Sequence, residues 1–211
     1  MPRLSEEKKA VLESMTREAL YQAGLSILQD EGWQGLTMDR LAAKAGVAKG
    51  TVYNYFRDKK EIVYFVADRV MEDMTRQVRG LDLENGDPVR LLEQSLDILL
   101  VHMFENRRTL AAMFRTLSED AEMRRVACER KDQPGHEIRE KMVEIFRKGV
   151  TTGRFRPGDP VLMDLLLHAT FHGIIHEFIF HSREDTEPKA AIAAIKDLIL
   201  HGFCPEEKDK P

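Results

Sequence analysis

The chain has few cysteines: Cys128 and Cys204 are the only two in 211 residues, and no pair stands at CxxC spacing. That argues against a disulfide framework and fits a reducing, cytoplasmic location. Long apolar runs are also missing. The most apolar stretch, 161–180, holds Asp164, His168, His172, His176 and Glu177, which are costly in lipid, so no membrane span is expected. The start, Met1 to Lys9, is polar and charged, so no signal peptide is expected either. No Gly-rich phosphate loop and no nucleophile elbow occur, which leaves little support for an enzyme. Aromatics are only 7% and β-branched alternation is scarce, so helices are favoured over strands. There is no excess of positive charge: the net balance is −4. Any affinity for nucleic acid must therefore come from a local patch. What is present is a hydrophobic content of 43%, enough for a core, in a length that suits one small and one larger domain.

Residues 37–62 are the most informative segment. Met38, Leu41, Ala42 and Ala45 repeat at helical spacing behind Thr37, whose hydroxyl is suited to cap the helix. Gly46 is suited to the left-handed residue that ends it. Val47 packs down as the chain turns. Lys49, Gly50, Thr51, Asn54 and Tyr55 then present short or polar groups, while Val52 and Phe56, four apart, anchor a second short helix from beneath. A third helix opens near Lys59. Between 36 and 60 six basic residues (Arg40, Lys44, Lys49, Arg57, Lys59, Lys60) face two acids (Asp39, Asp58), a local balance of plus four. The layout is that of a helix-turn-helix, which places its second helix in the DNA major groove. An ordinary helical hairpin with a solvated face is the competing reading.

The stretch from about 16 to 65 resembles the DNA-binding domain of the TetR family of bacterial transcriptional regulators. Leu20, Tyr21, Ala23, Gly24, Leu25, Ile27, Leu28, Asp30, Glu31, Gly32 and Trp33 resemble the family's opening helix. Thr37, Leu41, Ala42, Ala45, Gly46, Val47, Gly50, Thr51, Tyr53, Tyr55, Phe56, Lys59 and Ile62 fall on its other signature positions. Two departures stand out. Ala48 occupies the place of the usual Ser or Thr cap, and Gly24 that of a common alanine, at a cost of about 1 kcal/mol if helical. The resemblance implies an all-α fold: a three-helix DNA-binding domain followed by an all-helical effector and dimerisation domain. It implies that Lys49, Thr51 and Asn54 face base edges, that Gly50 lies against the backbone, and that Thr37, Tyr53, Tyr55 and Lys59 bind phosphates. The implied partners are double-stranded DNA with a palindromic operator, a small-molecule effector and a second copy of the chain.

The breaker-rich run from Gly80 to Pro88 is the best boundary, giving a DNA-binding domain with its connecting helix at 1–80 and a helical ligand-binding and dimerisation domain at 81–211. The early part of the first helix, Ser5 to Ser14, is expected to be a loose arm. In the second domain the apolar helix 161–181 carries Leu162, Leu166, Ala169, Gly173 and Phe180 on one narrow stripe. Small Ala169 and Gly173 permit close approach of another helix. A last helix, opened by Thr186 and Pro188, carries Ala191, Ile195 and Leu198. Together with His176 these residues form the expected homodimer interface; filling the monomer core is the bland alternative.

On the same helix His168, His172 and His176 stand at i, i+4, i+8 and form one ridge about 80° wide. Such histidines can hold a metal, respond to pH at a contact, line a pocket, or simply be solvated. Met103, Phe104, Phe114, Met142, Phe146 and Phe171, with His172, are the expected walls of an adaptable apolar effector cavity, although core filling explains any single methionine as well. The expected function is a ligand-responsive transcriptional regulator, most simply a repressor that leaves its operator on binding a small molecule. No cofactor or resident metal is expected. A metal- or pH-responsive regulator using the histidine ridge is the alternative. A metal-dependent enzyme and a helical adaptor without DNA are more remote.

Overall fold

The computed structural model describes residues 6–130, 133–180 and 188–204. Among them the chain is all-helical, without a strand. Helix α1 (Glu6–Gly35) buries Leu20, Ala23, Gly24, Ile27 and Leu28, then changes direction at Gly32, whose φ of 66° is a left-handed value suited to glycine. Its opening, Glu6 to Met15, is helical rather than a loose arm, and every residue of it is exposed. Helices α2 (Met38–Ala45) and α3 (Lys49–Tyr55) follow, then α4 (Lys59–Arg79). Gly24 proves to be a contact. A Cβ there would stand 3.1 Å from Val66 and 3.4 Å from Ile62, so its bare backbone lets α4 lie close on α1.

Packing divides the chain into two compact units, and the division differs from a split at 80/81. The first unit comprises residues up to Val70 together with Arg108–Arg130; the second comprises Met71–Arg107 and the residues from 131 onward. The returning segment is most of α6 (Arg107–Glu119) and all of α7 (Ala121–Glu129). Gln29 donates to Thr109 at 2.7 Å and Tyr64 donates to the Met123 carbonyl at 3.2 Å. Lys60 pairs with Asp120 at 3.0 Å and Arg130 with Asp68 at 2.6 Å. Met123 is fully buried. The charged stretch 119–130 thus carries a buried apolar side chain, Met123, and polar groups that dock it, a relation between distant residues that local periodicity does not display.

The second unit is built from α5 (Pro88–Glu105), α8 (Pro134–Thr151), α9 (Pro160–Phe180) and α10 (Pro188–Phe203). Proline opens each of these four helices, where its missing N–H costs nothing. Asp87 caps α5 by accepting from the Val89 and Arg90 amides and is held by Arg154 at 3.0 Å. Gly153, with φ 68°, ends α8 and sends the chain back so that Phe155 lies over Gly149. A Cβ on Gly149 would be 1.9 Å from the Phe155 ring. The Phe146 ring packs between those of Phe155 and Phe203, at 5.8 and 4.8 Å. Lys196 on α10 reaches Asp97 at 2.6 Å and Glu93 at 3.3 Å on α5. None of the described helices is long and apolar enough to cross a membrane.

Candidate nucleic-acid interface

The turn between α2 and α3 is built as its residues require. The Thr37 hydroxyl accepts from the Arg40 amide at 3.2 Å, and Gly46 ends α2 in the left-handed region with φ 68° and ψ 30°. The Val47 amide donates to the Ala42 carbonyl at 3.0 Å, which closes the turn. Ala48 stands at the N-cap of α3 and gives it no side-chain cap, the consequence expected of alanine at that place. Val52 and Phe56 are buried beneath it. Lys49, Gly50, Tyr53 and Asn54 are exposed on its outer side, with Thr51 and Tyr55 half-buried at the edge. A Cβ at Gly50 would meet nothing within 4 Å, so the surface there is open to another molecule.

The basic residues of this face are not idle in the free protein. Lys49 lies 2.6 Å from Asp39, and that hydrogen bond holds the ammonium above its ordinary pKa. Arg40 pairs with Glu31, Lys44 with Asp30 at 3.7 Å, Arg57 with Glu61 at 3.7 Å and Lys60 with Asp120. Lys59 instead places its ammonium 3.7 Å from the centre of the Trp33 ring, an attraction that leaves its charge without a carboxylate in this contact. The local excess counted along the sequence is thereby reduced, because Asp30, Glu31, Glu61 and Asp120 come from outside the counted window. Apart from Arg57–Glu61, four positions apart, these pairings were not legible from spacing.

Residues 20–64 match the sequence model of the bacterial regulatory proteins of the tetR family. Over that stretch the chain is similar to the tetR-family regulators. An HTH-type transcriptional regulator of Staphylococcus aureus is 24% identical over 94 residues, 44% of this chain. The match spans about half, 51%, of that relative's own length. Among solved structures, the fatty acid degradation regulator FadR of Bacillus halodurans superposes with a TM-score of 0.73 at 18% identity, over 87% of this chain and 94% of that one. The SmeT–triclosan complex gives 0.70 at 19% identity, over 93% and 95%. At these identities the structural likeness is one of fold. The family likeness is to transcription regulators, not to enzymes.

Beyond the TetR-type head, the expected effector residues do not form one group. Met103, Phe104, Met142, Phe146 and Phe171 are buried in the second unit, where Phe146 fills the core against Phe155 and Phe203. Phe114 is half-buried and belongs to the first unit. His172 is exposed: four positions after His168, it faces outward while neighbouring Phe171 faces in. A residue missed by the sequence reading is His102 on α5. The Asn106 side-chain amide donates to the His102 carbonyl at 3.0 Å and lies 3.2 Å from His102 Nδ1. An amide that donates makes Nδ1 the acceptor, which leaves the proton on Nε2. That Nε2 is buried without a hydrogen-bond partner among the described residues, and burial holds the imidazole below its ordinary pKa, hence neutral. A periodicity argument cannot find such a group, because it depends on the Asn106 rotamer.

Of the expected dimer residues, Leu162, Leu166, Ala169, Gly173, His176 and Leu198 are exposed, Ile195 is half-buried and Ala191 buried. The side chain of Phe180 lies outside those described. Leu198 is 72% exposed, and Val161, Leu162, Leu165 and Leu166 are each about half exposed or more, at 57%, 51%, 49% and 53%. Below them Met163, Asp164, Leu167 and Phe171 point into the core, where Asp164 pairs with Arg139 at 2.9 Å. Among the described residues no group of three or more His, Cys, Asp or Glu is placed to hold a metal.

Proposed function

We propose that this chain is a ligand-responsive transcriptional regulator that acts as a homodimer on a palindromic operator and, as a repressor, leaves that operator when a small molecule binds its second unit. The observation that carries the reading is the α2–α3 geometry: a glycine-terminated turn, a short helix anchored by Val52 and Phe56, and an outer face of Lys49, Gly50, Tyr53 and Asn54 open to solvent. Lys49, Thr51 and Asn54 read base edges; Thr37, Tyr53, Tyr55 and Lys59 hold phosphates and set the register. Two heads are needed because half-sites repeat at about one helical turn or its multiples, and the exposed leucines of α9 with Leu198 of α10 supply the pairing surface. Such a protein works in the cytoplasm, beside the chromosome.

Support for an effector comes from the second unit and from the relatives. The FadR relative is a fatty acid degradation regulator, and SmeT was solved with triclosan. Here Met103, Phe104, Met142 and Phe171 are buried in the second unit, as is Nε2 of His102, which has no acceptor among the described residues. A mostly apolar molecule carrying one carbonyl or carboxylate oxygen suits that combination, because it satisfies the donor while burying its carbon skeleton. The mechanism is a coupling free energy: an effector that prefers one arrangement of the helices favours one spacing of the heads, and DNA favours the other. The test is to select duplexes from a random pool with purified protein and sequence them. A two-fold symmetric consensus is expected; a pool that returns no enriched sequence would remove the regulator reading.

A further inference from the structure

Helix α9 carries a pair of imidazoles that the regulator mechanism above does not use. His168 and His172 stand one helical turn apart on its exposed side, with ring centroids 4.3 Å apart and planes inclined at 59°. Histidines at i and i+4 on one helix face point two ring nitrogens at a common position. A transition metal needs each nitrogen at about 2.0–2.1 Å, and a ring's centre lies roughly an ångström behind its nitrogen, so ligands at right angles need ring centres about 4.5 Å apart and tetrahedral ligands about 5 Å; the pair stands close to the first arrangement, and a modest side-chain rotation gives the second. We propose that His168 and His172 form a chelating site for a borderline dication, Zn2+, Ni2+ or Cu2+, whose remaining positions are filled by water.

Imidazole nitrogen selects this class of metal over Mg2+ and Ca2+, which prefer oxygen. Arg139 opposes a cation here. Its guanidinium is bonded at 2.9 Å to the buried Asp164 carboxylate, which sits one turn before His168 and offsets most of that charge. Asp164 is committed to Arg139 and is not counted as a ligand. With two protein ligands rather than three or four, the site is an exchangeable one, filled and emptied with the free metal concentration.

The inference is independent of DNA binding and is tested on untagged full-length protein by calorimetric titration with NiCl2 and ZnCl2. Saturable uptake of up to one ion per chain is expected, with a rise in melting temperature that EDTA reverses. His168→Ala and His172→Ala should each weaken uptake about tenfold or more, and the double variant should abolish it. His201→Ala, on α10 and paired with Asp197, should bind as the parent does. Because both target side chains are exposed, circular dichroism should confirm unchanged folding in each variant. No saturable uptake up to about 1 mM metal, or uptake unchanged in the double variant, would overturn the proposal. Failure here leaves the DNA selection experiment untouched, and the reverse holds as well.

Discussion

Asp39 and Lys49 illustrate what a single contact decides at the proposed DNA face. Their 2.6 Å pair must open for Lys49 to reach a base edge, and the released carboxylate then stands near the phosphates. Asp39→Asn removes both obstacles. The variant should bind duplex DNA several-fold more tightly than the parent in fluorescence anisotropy; weaker binding would mean that Asp39 positions Lys49 instead of restraining it. Lys59 is a different case, since its ammonium rests on the Trp33 ring and a purely structural role is conceivable. Lys59→Ala should weaken binding to all sequences and lower the salt slope by about one. A lowered melting temperature with an unaltered slope would make the contact structural, worth about 0.5–1 kcal/mol. The turn residues at this scale, Thr37, Gly46 and the missing cap at Ala48, were readable because each acts within a few positions of itself. The ion pairs were not, because Asp39–Lys49 and Glu31–Arg40 join residues nine or ten apart across two helices, and their geometry is set by how those helices cross.

At the scale of the element, a glycine inside a helix and a carboxylate at its start carry the clearest consequences. Gly149→Ala gains about 1 kcal/mol of helix propensity, but its Cβ would stand 1.9 Å from the Phe155 ring. Overpacking a fixed aromatic commonly costs about 1–3 kcal/mol, so the variant should be less stable in urea unfolding; equal or greater stability would show that Phe155 moves aside freely. Asp87 caps α5. Burial alone would raise its carboxyl, but the Arg154 hydrogen bond and the Arg90 and Val89 amides outweigh it and hold the folded-state pKa below 3.8. A folded value below the unfolded one means stability that is present above the unfolded pKa and lost as pH falls through the folded value. Asp87→Ala should therefore cost about 1 kcal/mol at neutral pH, with the difference from the parent vanishing in acid well below 3.8. A loss of the same size in acid and at neutrality would contradict the assignment. The breaker-rich run ending at Pro88 announced the start of α5 in the sequence. The demand for glycine at 149 was invisible there, because it comes from Phe155 folding back over the helix.

For the whole molecule, composition and helical periodicity favoured helices and the family resemblance implied a small three-helix head; the described residues are all-helical, and their order follows that expectation. It did not foretell that residues 108–130 pack with the head, since Met123 and Tyr64 meet only after the chain has returned. Leu162, Leu165, Leu166 and Leu198 are exposed, the first three within five positions of one helix, and this apolar surface motivates the proposed dimer. Gly173→Leu is a clean probe, because a Cβ at Gly173 meets nothing within 4 Å in the single chain. Light scattering should find the parent dimeric at micromolar concentration and the variant shifted toward monomer with its melting profile retained. A monomeric parent that still binds a palindrome tightly would refute the pairing surface.

The central claim, that this chain is a sequence-specific duplex reader, is tested most directly by titrating a labelled duplex recovered by selection beside a scrambled duplex of equal length and composition at physiological salt. The account predicts two chains per selected duplex, an affinity at least about a thousandfold above that for the scrambled one, and a steep loss of both with rising salt. Equal affinity for the two duplexes would contradict it.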